Sequence, residues 1–270
     1  MKKIVFMFFV FSTVLLSGKE KYSKAEIRQK TDSILAEGNL LYRYEKAAWV
    51  STDLAMSMKE VKDNFGGYLI YKSEDSIKAI IIGKDHSTCI YEMTFFKDVT
   101  NPYKELLVNR KLSVLEEELQ AIKVKITNEA LTPAYPVTLP EGYSPVMELI
   151  PSETGYKLYM LIGTTKKDVI PMGNDYIFFA DKQGVITSWR KFHSMVIPAM
   201  ATYKGEKVVG VVHSHLPAEP FITATDICNF KLYGYDYYGL KDLKIVSSAL
   251  YKLFTYDAIK NTIETEDLGK

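Results

Sequence analysis

The sequence is poor in several features that would narrow its function at once. Its 270 residues include only two cysteines and four histidines, and the formal net charge is +1. Because no long basic stretch is present, the chain lacks the electrostatic footprint of a nucleic-acid-binding protein, and we expect no nucleic-acid partner. Cys89 and Cys228 can form at most one disulfide in an oxidising compartment, and the sequence leaves their pairing open.

Long apolar runs are missing everywhere except at the N-terminus. Two lysines precede an apolar run from Ile4 to Leu16, and the small residues Ser17 and Gly18 follow it. This layout predicts a secretory signal peptide over residues 1–18 and therefore an exported protein, periplasmic or extracellular. The alternative is an uncleaved anchor, although the run is short for a membrane span. Nothing else is long and apolar enough, so we expect no stable membrane span after signal removal.

The first half of the chain predicts a helix followed by a β-meander. Ser23 and Glu26 have the spacing of a capping box at the start of a helix. Asn101-Pro102 predicts the start of another helix, because proline is tolerated in the first turn. Between the two helices, three segments rich in β-branched and aromatic residues predict a three-stranded meander: 68–71, 77–82 and 88–96.

The second half is separated from the first by a proline-rich segment. Five prolines between positions 131 and 151 predict a linker. Beyond it the chain is rich in strand patterns, with a helix predicted from Thr223 to Leu232. The sequence therefore predicts an α+β protein. Its parts are an N-terminal α+β domain at 23–130, a linker at 131–151 and a second α+β domain with a mainly antiparallel sheet at 152–270.

The most informative stretch lies between positions 211 and 228. It contains His213-Ser214-His215, followed by Thr223 and Asp226. Two neutral imidazoles and one carboxylate can hold zinc and leave the fourth position for water. The histidine pair ends a predicted strand, so both imidazoles should point to the same face. Asp226 should arrive from the first turn of the following helix. The sequence therefore offers His213, His215 and Asp226 as a zinc site.

A simpler interpretation of the same residues stays open. Thr223 is also a good helix N-cap, with Asp226 favourable in the first turn, and a histidine pair at a strand end can face solvent. Cys228 fits a small buried helix residue better than a ligand. His193 fits a packing or surface residue better than a neighbour of the ligands or a substrate contact.

The stretch resembles the JAMM (MPN) family of zinc metallopeptidases. The family pattern is His-[Ser/Thr]-His, then seven residues to a serine and two more to an aspartate. His213-Ser214-His215 fits, Thr223 stands at the serine position and Asp226 at the aspartate position. Segment 159–163 is similar to the family's first strand, and the resemblance covers about residues 144–257.

This chain departs from the family pattern at its upstream glutamate. Tyr156 stands at the aligned position, with Glu148 and Glu153 nearby. Either glutamate can serve if the strand register differs, and either can equally be a strand or loop charge with no catalytic part. Leu216 also replaces the usual proline after the second histidine.

The resemblance implies a mechanism and a role for each residue. His213, His215 and Asp226 would hold Zn²⁺, which polarises the scissile carbonyl, and Thr223 would donate a hydrogen bond to the developing oxyanion. Glu148 or Glu153 would be the general base. We therefore expect an exported zinc hydrolase that cleaves a peptide or isopeptide bond of a peptide or protein substrate in the cell envelope. The alternative is a non-catalytic JAMM-like binding or structural protein.

Overall fold

The structure is a computed structural model that describes residues 22–269, so the predicted signal peptide lies outside the described residues. No helix among residues 22–269 combines the length and apolar character needed to cross a membrane. The helices are α1 (Lys24–Ser57), α2 (Lys59–Asp63), α3 (Val114–Ala130), α4 (Ala224–Asn229) and a π-helix (Phe230–Tyr237). The strands are β1 (Phe65–Ser73), β2 (Ser76–Gly83), β3 (Thr88–Phe95), β4 (Lys104–Lys111), β5 (Ser144–Ser152), β6 (Gly155–Gly163), β7 (Val169–Gly173), β8 (Tyr176–Ala180), β9 (Ile186–Lys191), β10 (Val196–Met200), β11 (Thr202–Tyr203), β12 (Glu206–Lys207), β13 (Gly210–His215), β14 (Asp242–Ser247), β15 (Lys252–Asp257) and β16 (Thr262–Asp267).

The chain forms two compact units that do not follow its order in sequence. Of the described residues, the first unit contains those from 22 to 39, Thr164–Asn174, and those from 192 to 269. The second unit contains Leu40–Gly163 and Asp175–Lys191. These boundaries differ from a division at a 131–151 linker, because segments distant in sequence pair as strands within each unit.

The second unit is built from two antiparallel sheets of four strands. Their orders are β1-β2-β3-β4 and β5-β6-β8-β9, and both sheets contribute to one apolar core together with α3. The predicted helix from Ser23 and the predicted three-stranded meander are confirmed, and the meander gains β4 as a fourth strand. The largest fully buried side chains of this core include those of Tyr176, Phe178 and Leu69.

The helix predicted to begin at Asn101-Pro102 is wrong. The chain there leads into β4, and α3 begins only after Ser113. The Ser113 hydroxyl accepts a hydrogen bond from the Glu116 amide, while the Glu116 carboxylate accepts one from the Ser113 amide, which is a complete capping box. Strand β4 escaped prediction because it is an edge strand with most side chains exposed, so it lacks the alternation of a half-buried strand.

The segment predicted as a linker, 131–151, includes a strand in its last third. Residues from Ser144 form β5, which pairs with β6 along its whole length. Pro145 and Pro151 are compatible with this strand because β5 lies at the edge of its sheet, where one side of the backbone needs no donors.

The first unit contains the strand that carries the histidine pair and the crossover that follows it. Strand β13 pairs with β14 in parallel, and β14, β15 and β16 continue as antiparallel neighbours. Parallel neighbours need a long connection, which α4 and the π-helix provide. Helix α1 packs closely on α4, because a Cβ added at Gly38 would lie 2.8 Å from the Ile227 Cβ. The fold is thus α+β with several mainly antiparallel sheets, and one parallel pair positions the histidines.

Candidate metal site

The two histidines of β13 share one face of the strand. His213 and His215 are buried, whereas the alternate residues Val212 and Ser214 are exposed. This alternation confirms the expectation from strand geometry. The Nε2 atoms of the two imidazoles lie 3.2 Å apart.

Asp226 is both a capping residue and a neighbour of the histidines. Its Oδ2 accepts hydrogen bonds from the Thr223 amide at 2.9 Å and the Thr223 hydroxyl at 2.7 Å, while its own amide donates to that hydroxyl. Its Oδ1 has no hydrogen-bond partner and is buried. The capping interpretation of Thr223 and Asp226 is therefore confirmed, and it leaves one carboxylate oxygen facing the imidazoles.

His193 completes the group. It lies in the connection between β9 and β10 and is buried, and its Nε2 is 2.9 Å from that of His215. The same atom is 3.4 Å from Asp226 Oδ1. His193 is therefore no surface residue, and it lies beside the predicted ligands as well as being packed among buried side chains. The only sequence signal for it was scarcity, since His193 is one of just four histidines in the chain.

The four side chains have the separations of a tetrahedral metal site. His193, His213, His215 and Asp226 each offer one donor atom, all within 4.8 Å of one another. The His213 Nε2 lies 3.2 Å from Asp226 Oδ1, and His215 Nε2 lies 3.2 Å from Asp226 Oδ2. Bonds of about 2.0–2.1 Å from a tetrahedral ion place its ligands about 3.3 Å apart. The group can therefore hold a metal ion with little movement of the donors.

The charges of the group suit a cation. Burial alone would raise the pKa of Asp226, but the imidazoles of His193, His215 and His213 outweigh it and hold that pKa well below its usual range. Burial lowers the pKa of His213, against the opposing charge of Asp226. A carboxylate beside a neutral imidazole is the protonation state in which these groups bind metal.

The imidazole of His215 is also oriented by hydrogen bonds at Nδ1, the ring nitrogen that faces away from the other donors. The His215 Nδ1 is 2.6 Å from the Phe221 carbonyl oxygen and 3.1 Å from that of Glu219, so it carries the proton and donates. This fixes the tautomer that leaves the Nε2 lone pair directed at the centre of the group, as a carbonyl partner does for many metal-binding histidines.

The connection that carries His193 rests against the end of β7. Gly173 has φ +74°, and a Cβ added there would lie 2.5 Å from the Met195 carbonyl oxygen and 3.1 Å from the His193 Cβ. That carbonyl accepts a hydrogen bond from the Asn174 amide at 3.0 Å. Only glycine allows this approach without strain.

The two glutamates considered as general base are in the second unit. Glu148 is buried on β5, where Tyr68 donates a hydrogen bond to it at 3.4 Å, and Glu153 is exposed in the turn after β5. Both belong to the second unit, and neither is part of the group of four. Cys228 is a buried thiol on α4, outside the group, and Cys89 is a buried thiol in the second unit; the two form no disulfide.

The group of four thus unites the three predicted ligands with one that the sequence missed. No protein-family model, curated protein or solved structure matches the chain.

Proposed function

We propose that this chain is an exported zinc protein in which His193, His213, His215 and Asp226 hold one ion, and that it acts as a non-catalytic JAMM-like binding or structural module of the cell envelope. The observation that carries the proposal is the group of four buried side chains, whose donor atoms all lie within 4.8 Å of one another and are separated by 2.9–3.4 Å in five of the distances between them. Export rests on the apolar pattern of residues 1–18.

The donor chemistry favours zinc over other common ions. Three imidazole nitrogens and one carboxylate oxygen are ligands typical of zinc, whereas calcium and magnesium prefer shells made of oxygen. Copper and nickel can also bind imidazoles, but they favour square-planar or tetragonal arrangements over a compact tetrahedral one.

The number of donors favours a non-catalytic role. Structural zinc sites are closed by four protein ligands, while catalytic sites keep one position open. The four donors here are enough to close the shell. The Thr223 hydroxyl is also engaged in the cap of α4, where it donates to Asp226 Oδ2.

A second candidate is the zinc hydrolase of peptide or isopeptide bonds. The observation that favours it is the placement of His213 and His215 at the end of one strand, with Asp226 in the first turn of the next helix. A zinc ion on those three residues would polarise a scissile carbonyl. This candidate requires His193 to be absent from the shell and a general base within reach of a metal-bound water.

The deciding experiment measures zinc in the purified chain, with His215→Ala as the test variant. His86→Ala is the matched control, since His86 lies in an exposed turn of the second unit. We expect near-stoichiometric zinc in the wild type and the control, and little in His215→Ala. Absence of zinc from the wild type, even after reconstitution, would overturn the proposal. Zinc-dependent peptide hydrolysis by the wild type would instead establish the second candidate.

A further inference from the structure

The four ligands differ in how the fold holds them. His213 and His215 lie on a strand that is hydrogen-bonded to β14, and Asp226 is fixed by two hydrogen bonds from Thr223. His193 lies in a short connection and belongs to no strand or helix. Three donors are therefore built into regular structure, and the fourth is added from a loop.

The three built-in donors form a set with its own chemistry. Two imidazoles and one carboxylate are the ligands of zinc sites whose fourth position accepts an external oxygen or nitrogen atom. The His193 Nε2 is 2.9 Å from His215 Nε2 and 3.4 Å from Asp226 Oδ1, which is the position of a fourth ligand. If His193 instead formed a hydrogen bond to an external ligand, its imidazole would lie farther from the other three donors, with the external ligand between them.

We infer that His193 occupies the one coordination position that His213, His215 and Asp226 leave for an external ligand, so that the site is a latent binding site for a small anion or a carbonyl oxygen. The inference rests on the proposed zinc site. It adds that the protein's own loop blocks ligand binding, and that the three other donors keep the ion when the loop residue is withdrawn.

The backbone of the loop that carries His193 is held by contacts of its own, so the imidazole can be replaced without displacing the loop. Its backbone is held through the Met195 carbonyl and the Asn174 amide and lies against Gly173, so its position does not depend on the imidazole alone. Ser194 and Met195 are exposed next to it. Replacing the imidazole should therefore open the position without dismantling β7 or β10.

The test uses Co²⁺ in place of zinc, because the visible spectrum of protein-bound Co²⁺ reports its coordination. The full-length wild type, His193→Ala and His86→Ala are loaded with Co²⁺ and titrated with azide. We expect all three to bind cobalt with the intense bands of a four-coordinate ion. Azide should shift the bands of His193→Ala with saturation at one azide per chain. Azide should leave the cobalt bands of the wild type and of His86→Ala unchanged over the same range of azide concentration.

Different failures are distinguishable. Azide-dependent shifts in the wild type equal to those of the variant would show that the position is already open and overturn the inference alone. Loss of all cobalt from a His193→Ala chain that keeps its circular dichroism spectrum would also overturn it, because the three donors would then not hold the ion. His193→Ser replaces His193→Ala if the latter does not fold. Failure of the wild type to bind either Co²⁺ or Zn²⁺ would overturn the proposed function itself.

Discussion

The Nε2 atoms of His193 and His215 are 2.9 Å apart inside the first unit, although the two residues are 22 positions apart in sequence. Two imidazole nitrogens at this distance share either a proton or a cation. His213 Nε2 lies 3.2 Å from the same His215 atom, and Asp226 Oδ1 is buried with no donor of its own. A single cation satisfies all of these atoms together, which a single proton does not.

Metal removal should destabilise the first unit. A ligand that binds only the folded state adds about 2.7 kcal/mol at a hundredfold excess over its Kd, so treatment with a chelator should lower the melting temperature of the wild type. His215→Ala should melt at a lower temperature and be indifferent to the chelator. Thermal unfolding with and without chelator measures both effects. Equal melting of the treated and untreated wild type would contradict a bound structural ion.

Gly173→Ala should displace His193. The added Cβ meets the Met195 carbonyl at 2.5 Å, in addition to the cost of about 1–2 kcal/mol for a side chain at positive φ. Gly205→Ala is the matched control, because Gly205 has φ +81° but nothing within 4 Å of the new Cβ. We expect Gly173→Ala to lose more stability and more zinc affinity than Gly205→Ala, as measured by denaturant unfolding and chelator competition. Equal losses would mean that the close approach has no part in seating the loop.

Thr223→Val should weaken both the helix start and the metal site. Valine is similar in shape but can neither cap α4 nor donate to Asp226 Oδ2, so about 1 kcal/mol of stability should be lost. Loss of a group that orients a ligand typically costs tenfold to a hundredfold in metal affinity. Thr223→Ser keeps the hydroxyl and should restore both properties. A Thr223→Val chain with unchanged zinc affinity would show that Asp226 needs no orientation from Thr223.

The buried carboxyl groups of Glu45 and Glu148 in the second unit should make the folded state less stable as the pH rises. Burial, followed by the charge of Glu148, raises the pKa of Glu45 to about 8 from an ordinary 4.5, against the opposing effects of the Trp49 indole N–H and Lys123. Between these values the folded chain holds a proton that the unfolded chain has released, so stability from this group falls as the pH rises through that window. Below pH 4.5 both states hold the proton and the contribution is complete.

Glu45→Gln should remove that dependence. We expect it to raise the melting temperature at pH 8 relative to wild type and to have a smaller effect at pH 5. Glu60→Gln, at an exposed position on α2, serves as the control and should leave the difference between the two pH values unchanged. An unaltered pH dependence in Glu45→Gln would show that Glu45 is not the source of this dependence.

Local patterns in the sequence predict much of this fold. The capping box at Ser23, the meander strands and the shared face of His213 and His215 each follow from residues close together in the chain. The start of α3 at Ser113 and strand β4 were missed, because β4 is an exposed edge with no alternating pattern. The partition into two units was not predictable, because it depends on pairings between distant segments.

The candidate site was likewise predictable only where its residues are close together in sequence. His213, His215 and Asp226 lie on one strand and the helix that follows it, so spacing was enough to group them. His193 reaches the group only because β7 and β10 pair and Gly173 admits the loop, and no local pattern indicates that arrangement. The placement of Glu148 beside Glu45 and Tyr68 likewise depends on contacts between distant segments of the second unit.

The chain between His193 and His213 carries β10, β11 and β12, and most of its residues are exposed. With both of its ends bound to one ion, this segment would be a closed loop, and the ion would act as a reversible cross-link in place of a disulfide. Such a link stabilises chiefly by restricting the unfolded chain. Its loss would loosen this segment before the sheet of β13 to β16, so a protease added after chelation should cut first between positions 194 and 209.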